Sequence, residues 1–323
     1  MKSAQTKAKK PLKIKLTILF AAILLNIIMN IFGNALKTEY YSLTSDKLTA
    51  PVRIVFLSDL HNCTYGGAEQ SGLWKEIVNA QPDFVLFGGD VIDFQGGTEH
   101  AIQLMKMVKE NYPCAYASGN HEVMRDDTEE FYGAVASLGI PVLHGAFSDI
   151  TVHEQKIRLC GIVNVYDNPD QLESACQSPA DDRYNVLLLH QPEQLDEVIN
   201  EAKKSAFDLV LSGHAHGGQW RIPEVLEQGL YAPDQGIFPE FTNGQRKSGS
   251  TFQIVSRGLA KPLRMFIIPR IFNRPEISVV DIAPEPADRS YFSDRLPVWK
   301  RCAAGQRSQE EEYRRHREGS VPY

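Results

Sequence analysis

The sequence predicts an α/β protein built on two mixed sheets. Three observations carry this: short apolar, β-branched runs alternate with amphipathic stretches of helix length, each run ends in a polar or glycine-rich turn, and two late runs lie too close together to hold a helix between them. Alternation implies βαβ units and a largely parallel sheet, and the close pair implies a hairpin in a second sheet. At 323 residues the chain exceeds an average domain but stays within reach of a single α/β body.

Residues 1–15 form a basic tail, with Lys2, Lys7, Lys9, Lys10, Lys13 and Lys15 and no acidic residue. Leu16 to Gly33 is then apolar except for Thr17, Asn26 and Asn30. At about 1.5 Å per residue this run spans roughly 27 Å, enough for the hydrocarbon core of a bilayer. It reads as a single N-terminal transmembrane helix, with the lysines cytoplasmic and the rest of the chain outside the cytoplasmic membrane. A cleaved signal peptide competes with this, since Gly33 and Ala35 put small residues where a signal peptidase needs them, and cleavage would release a secreted body. A buried helix fits badly with so basic a flank.

Residues 34–50 are polar and mixed in charge and read as a linker. The catalytic body is expected over 51–284, with strands at Val52–Ser58, Phe84–Gly88, Cys114–Ser118, Val186–His190 and Asp208–Ser212. Helices are expected at Gln70–Ala80, Thr98–Asn111, Thr128–Leu138 and Glu193–Lys203. Ile150–His153 and Ile157–Gly161 make the hairpin, and Phe252–Ser256 and Ile277–Asp281 are further strands. Residues 285–323 form a charged tail whose stretch Arg307–Glu318 reads as a solvated helix or disordered chain.

A net charge of −6 offers no basic field for nucleic acid, so no nucleic-acid partner is expected. Five cysteines, Cys63, Cys114, Cys160, Cys176 and Cys302, show neither a CxxC pair nor zinc-ribbon spacing, and read as core or incidental residues. Cys63 is the one that a site around His61 would reach.

Metal-ligand side chains sit at the ends of the apolar runs: Asp59 and His61 in Ser-Asp-Leu-His, Asp90 in Gly-Gly-Asp, Asn120 and His121 in Gly-Asn-His-Glu, His190 after Val-Leu-Leu-Leu, and His214 and His216 in Gly-His-Ala-His. Open α/β sheets bind ligands beyond the carboxyl ends of their strands, so these distant residues would converge. Carboxylate, amide and imidazole without thiolate suit manganese, iron, zinc or magnesium, and argue against a closed structural zinc site. His100, His144, His153 and His316 lie outside this pattern and read as structural or solvated.

The five blocks, D-x-H, G-D, G-N-H-E, a lone His and G-H-x-H, resemble the calcineurin-like metallophosphoesterase superfamily. That resemblance implies a four-layer α/β/β/α sandwich. It also implies two divalent metal ions, one held by Asp59, His61, Asp90 and His216 and the other by Asp90, Asn120, His190 and His214, with Asp90 bridging. Gly-His-Ala-His-Gly-Gly-Gln, Gly-Leu-Tyr-Ala-Pro-Asp-Gln-Gly and Ser-Arg-Gly-Leu followed by Arg-Pro-Glu-Ile resemble, over roughly residues 52–283, a membrane-associated bacterial phosphodiesterase subgroup. Some relatives in it cleave the pyrophosphate of a UDP-linked diacylglucosamine.

The function expected is hydrolysis of a phosphodiester or pyrophosphate bond, in a lipid-linked or cell-envelope substrate. Two metals roughly 3.5–4 Å apart lower the pKa of a shared water far below about 15.7 and generate the attacking hydroxide. His121, free of metal, is the candidate general acid, with Glu122 supporting its imidazole. Asn62, Gln219 and Arg257 are candidate substrate contacts. A UDP-linked lipid precursor is cytoplasmic, whereas the lysines place the site outside, so that substrate would require the reverse topology or an interfacial segment. A phosphomonoesterase or protein phosphatase of the same fold, and a non-catalytic metal-binding scaffold, are the alternatives.

Overall fold

The computed structural model describes residues 9–33, 35–166, 168–177, 179, 182–201, 207–261 and 270–285. The chain opens on helix α1 (Lys9–Gly33) and strand β1 (Lys37–Ser45). Then come β2 (Val52–Leu57), α2 (Ser71–Ala80), β3 (Phe84–Gly88), α3 (Glu99–Asn111), β4 (Cys114–Ala117), the single turn α4 (Asn120–Val123) and α5 (Thr128–Ser137). The hairpin of β5 (Phe147–Val152) and β6 (Gln155–Ile162) leads through α6 (Pro169–Gln177) to β7 (Tyr184–Leu189), α7 (Leu195–Glu201) and β8 (Leu209–Ser212). A two-residue ladder, β9 (Tyr231–Ala232) with β10 (Gly236–Ile237), precedes the hairpin β11 (Gly244–Ser248) and β12 (Thr251–Val255), and β13 (Glu276–Pro284) follows.

Two mixed sheets result. One has the order β1-β13-β2-β3-β4, parallel except where β13 meets β2; the other has the order β11-β12-β8-β7-β6-β5, with antiparallel hairpins at both edges. Strand alternation divides the core into layers. Val55, Leu57, Val85 and Phe87 pack outward against α2, α3 and α5, through Ile77, Met105 and Val135. Their neighbours Ile54, Phe56 and Leu86 face the second sheet, meeting Leu159, Val186, Leu188 and Leu211. Leu187, Leu189 and Val210 close the far side against Ala175 of α6 and Val198 of α7. The stack is therefore helix, sheet, sheet, helix, and both faces of β2 and β7 are buried, which is why they read as apolar runs interrupted only by Arg53 and Asn185.

At the amino end of β2, away from the ligand-bearing ends, Arg53 is wholly buried. Its Nε and Nη2 reach Asp281 Oδ1 and Oδ2 of β13 at 2.6 and 2.7 Å, and Nη1 donates to the Ala80 carbonyl at 2.9 Å. This fork pins β13 antiparallel to β2.

Two expectations are corrected. Residues 37–45, read as linker, form edge strand β1, because Tyr41, Leu43 and Ser45 bury one face along β13 while Ser42 stays exposed. The alternation is short and its outer face polar, so it carries little apolar signal. Second, among the described residues no helix is long and apolar enough to cross a membrane, so the transmembrane helix expected over 16–33 is not supported to that extent. The side chains of α1 are described over 13–28, fewer than the roughly 20 residues a span needs. The basic residues 1–8, and the tail beyond 285 with Arg307–Glu318, lie outside the described residues, as do His316 and Cys302.

Candidate active site

The carboxyl ends of β2, β3, β4, β7 and β8 point the same way and release their chains into turns that carry the expected ligands. Several of these residues are held in the left-handed region: Asp59 (φ 53°), His61 (48°), Asp90 (50°), His214 (64°) and His216 (47°). Each such non-glycine residue costs on the order of 1–3 kcal/mol, and such strain clusters where chemistry requires a fixed geometry. Backbone bonds lock the turns together, Asp59 N to Gly89 O at 2.9 Å and His61 N to Asp90 O at 2.9 Å.

Asp59 Oδ1 accepts the His214 amide at 2.8 Å, and Asp90 Oδ1 accepts the His121 amide at 2.8 Å. Each carboxylate thus spends one oxygen on a neighbouring strand end and turns the other inward. Asp90 Oδ2 lies 3.3 Å from His190 Nε2, 3.7 Å from His121 Nε2 and 3.9 Å from His61 Nε2. Asp59, His61 and His216 offer ligand atoms within 4.8 Å of one another, as do Asp90, His190 and His214, and also His61, Asp90 and His121. Asp59 Oδ2, both ring nitrogens of His61, Asn120 Oδ1 and His190 Nε2 are buried and make no hydrogen bond in the protein. Buried polar atoms are rarely left so, and this donor set fits divalent cations at the converging positions.

Burial drives the His61 imidazole down to about 3, against the pull of Asp90 and helped by His216 and His121. His216 is likewise lowered well below its usual range, by burial and then by Arg270. Both rings are therefore neutral, the form that ligates. Burial would lower His190 too, but the Asp90 carboxylate outweighs it and pushes His190 up to about 10. Burial disfavours the Asp90 carboxylate, yet His190, His61 and His121 hold it far below the usual range. The field between these groups favours positive charge at His190 Nε2.

Glycine is required at the floor. Gly258 has φ +68°, and a Cβ there would lie 2.6 Å from both Cβ and Oδ2 of Asp59. Gly89, at φ +90°, would bring its Cβ within 2.6 Å of His190 Nδ1, the nitrogen that meets the Gly88 carbonyl at 2.8 Å.

Four residues act in ways the sequence did not disclose. Asp93 Oδ1 lies 3.0 Å from His121 Nδ1, so Asp93, three residues after Asp90 in Gly-Asp-Val-Ile-Asp, orients that ring. Asp234 Oδ2, from Ala-Pro-Asp-Gln-Gly, meets His214 Nε2 at 2.7 Å and takes a bond from Gln191 Nε2 at 2.9 Å. Glu193 completes a further carboxylate and imidazole group with His214 and Asp234. Arg270 Nη2 approaches His216 Nδ1 at 3.4 Å. Two had a readable signal: Asp93 as a second carboxylate three residues beyond the first, and Asp234 as the acidic residue of Gly-Leu-Tyr-Ala-Pro-Asp-Gln-Gly.

Three role expectations change. Glu122 does not support the His121 ring; its carboxylate accepts the amides of Asp90, Gly119 and Ile92 at 2.8, 2.8 and 3.1 Å and so shapes the Asp90 turn. Burial and then Asp90 push its pKa up to about 7. Asn62 Oδ1 accepts the amides of His100 and Ala101 at 3.0 Å, capping α3 rather than facing the cluster. Arg257 Nε turns to Glu276 Oε2 at 3.4 Å. Gln219 follows the His216 turn with Oε1 buried and unbonded. His144 meets Ser118 Oγ at 3.2 Å and His153 meets Asp83 at 3.0 Å, while His100 lies 3.6 Å from Glu99; none enters the site. Cys63 takes the Lys261 amide at its sulfur, at 3.4 Å.

Residues 52–218 match the family described as calcineurin-like phosphoesterase. A putative metallophosphoesterase of Caenorhabditis elegans is 31% identical over 234 residues, 67% of this chain and 46% of that protein, so the chain spans about half the length of this relative. Phosphodiesterase YaeI of Escherichia coli is 25% identical over 72% of this chain and 83% of its own length. A zebrafish (Danio rerio) protein named transmembrane protein with metallophosphoesterase domain is 27% identical over 64% of this chain and 51% of its own. Because the matched segment runs from the first residue of β2 to the turn beyond β8, it takes in every ligand-bearing strand end, and the chain belongs to the calcineurin-like phosphoesterase family of metal-dependent phosphoric ester hydrolases.

Proposed function

We propose that the chain is a binuclear phosphodiesterase acting on phosphodiester or pyrophosphate bonds, and that its substrate is lipid-linked. The observation that carries the two-metal reading is the position of Asp90, whose inward oxygen lies within 4 Å of His61 on one side and His190 on the other. In this assignment Asp59, His61, Asp90 and His216 hold one ion and Asp90, Asn120, His190 and His214 the other. Manganese is the first ion to test, with zinc, iron and magnesium as alternatives. When bound, the pair supplies Lewis-acid polarisation of the phosphoryl group and a water of lowered pKa.

The chain's own residues do the rest. His121 has 22% of its side chain exposed, more than His61, His190 or His214, and is the group from which a departing oxygen would take its proton. Asp93 keeps Nδ1 of that ring engaged, which leaves Nε2 to face the substrate. Gln219, whose Oε1 is buried without a hydrogen bond, remains the candidate contact for a hydroxyl or amide of the substrate.

The membrane reading is supported by α1, where Ile18, Leu19, Phe20, Leu24 and Leu25 are exposed on different sides of one helix. Water would not tolerate that surface uncovered. The zebrafish relative's name points the same way. Lys13 and Lys15 at the start of the helix favour a cytoplasmic amino end and an extracytoplasmic catalytic body.

Hydrolysis of bis-p-nitrophenyl phosphate against p-nitrophenyl phosphate by manganese-loaded protein tests the activity. The diester should be the better substrate. Preference for the monoester would make the chain a phosphomonoesterase, and no turnover of either at confirmed metal content would make it a binding scaffold.

A further inference from the structure

Behind His216 lies a cavity of about 490 Å³ between the foot of α1 and the segment leading into β13, lined by Gly33, Lys37, Arg257, Arg270, Phe272 and Arg274 among others. Its positive charge is poorly matched. Arg270 is 1% exposed, donates Nη1 to the Arg257 carbonyl at 2.9 Å and approaches His216 Nδ1 at 3.4 Å, with the Asp59 carboxylate in its field but not in ion-pair contact. Arg274 donates to the carbonyls of Ala35 and Leu36 at 2.8 and 2.6 Å. Among the described residues no carboxylate lies within ion-pair distance of these two. Glu276 faces Arg257 at 3.4 Å without a hydrogen bond joining them, and Lys37 pairs with Glu39.

Burying guanidinium groups without counter-charge is costly, and a bound anion would offset it. The guanidinium fork matches a phosphate group. Position narrows the source of that phosphate. Helix α1 itself ends where the cavity begins, with a Cβ at Gly33 falling 2.6 Å from the Arg270 carbonyl. Phe272 in its wall is 63% exposed, and Ile222, next in sequence to the wall residue Pro223, is 51% exposed. Cationic side chains among exposed apolar ones, at the foot of an apolar helix, suit the headgroup level of a bilayer.

We infer that this cavity binds the phosphate of an anionic lipid headgroup, seating the lipid beside the metal centre through Arg270 and His216. The inference rests on the membrane reading above but not on turnover. It is tested on the full chain in nonionic detergent micelles with EDTA present, so that no metal contributes, by native mass spectrometry with dioleoyl phosphatidic acid and dioleoyl phosphatidylcholine. Phosphatidic acid should be retained about tenfold better, the value of roughly one charge-assisted hydrogen bond. Arg257→Gln with Arg274→Gln should abolish that preference. Arg274→Gln alone, on the exposed rim, should weaken it at an unchanged melting temperature, which guards against a misfolded double variant. Equal retention of the two lipids overturns the inference, as do variants that keep the full preference and inorganic phosphate binding as tightly as the lipid. Because no catalysis is read, headgroup preference without diesterase activity would sink only the proposed reaction, and activity without preference only this site.

Discussion

Gly258→Ala tests how closely the fold is built around Asp59. Gly258 occupies φ +68°, where a β-carbon costs about 1–2 kcal/mol. That carbon would lie 2.6 Å from Cβ and Oδ2 of Asp59 and 2.8 Å from Cγ, whereas real Cβ contacts essentially never fall below 3.0 Å. One side must yield by roughly 0.4 Å, and the backbone is fixed, since Leu259 N bonds to Ser58 O at 2.9 Å and Glu276 N to Gly258 O at 3.0 Å. The Asp59 carboxylate moves instead, and Oδ2, the oxygen left without a hydrogen bond for a metal, takes the displacement. Overpacking adds about 1–3 kcal/mol, for a total loss of stability of about 2–5 kcal/mol. A misplacement of 1 Å costs about a hundredfold in rate, so kcat/KM should fall about tenfold. The assay is bis-p-nitrophenyl phosphate hydrolysis across a manganese titration, with bound metal measured by mass spectrometry and folding by denaturant melt. A variant that keeps wild-type rate, metal content and stability would refute the reasoning.

Asp90→Asn should lower both bound metal and rate, by at least about a hundredfold for a ligand shared by both ions, checked by metal analysis and kinetics on the same preparation. His121→Ala should keep both metals and slow esters with poor leaving groups by about 10²–10⁴, with much smaller losses for nitrophenolate; an equal loss across leaving groups would argue against proton donation. Asp93→Asn should reproduce that leaving-group dependence more weakly, because it misorients the ring without removing it. Arg53→Leu should cost about 3–5 kcal/mol in a urea melt, since it strands the Asp281 carboxylate, 1% exposed, inside the first sheet, while the site more than one strand length away keeps its metal preference.

Much of the architecture was legible because the central strands are buried on both faces. Phe84–Gly88 and Cys114–Ala117 stand out as apolar runs for that reason, and the ligands follow them directly in sequence. The hairpin at 147–162 was legible from its short spacer. Strand β1 was not, because an edge strand with one polar face resembles a linker. Asp234 stood inside the quoted Gly-Leu-Tyr-Ala-Pro-Asp-Gln-Gly stretch, but its contact with His214 was not legible because it is made from an irregular loop with no periodicity to mark it. Glu122 and Asn62 were assigned from proximity in sequence, yet their carbonyl-type oxygens are consumed by backbone amides that only the folded turns present. The arginine cluster behind His216 joins residues 257, 270 and 274, which no spacing rule connects.

The central claim is that Asp90 stands between two metal ions. Anomalous diffraction from crystals grown with manganese measures it most directly. The account predicts two peaks per chain about 3.5–4 Å apart with the Asp90 carboxylate touching both; a single peak, or two with Asp90 on only one, would contradict it.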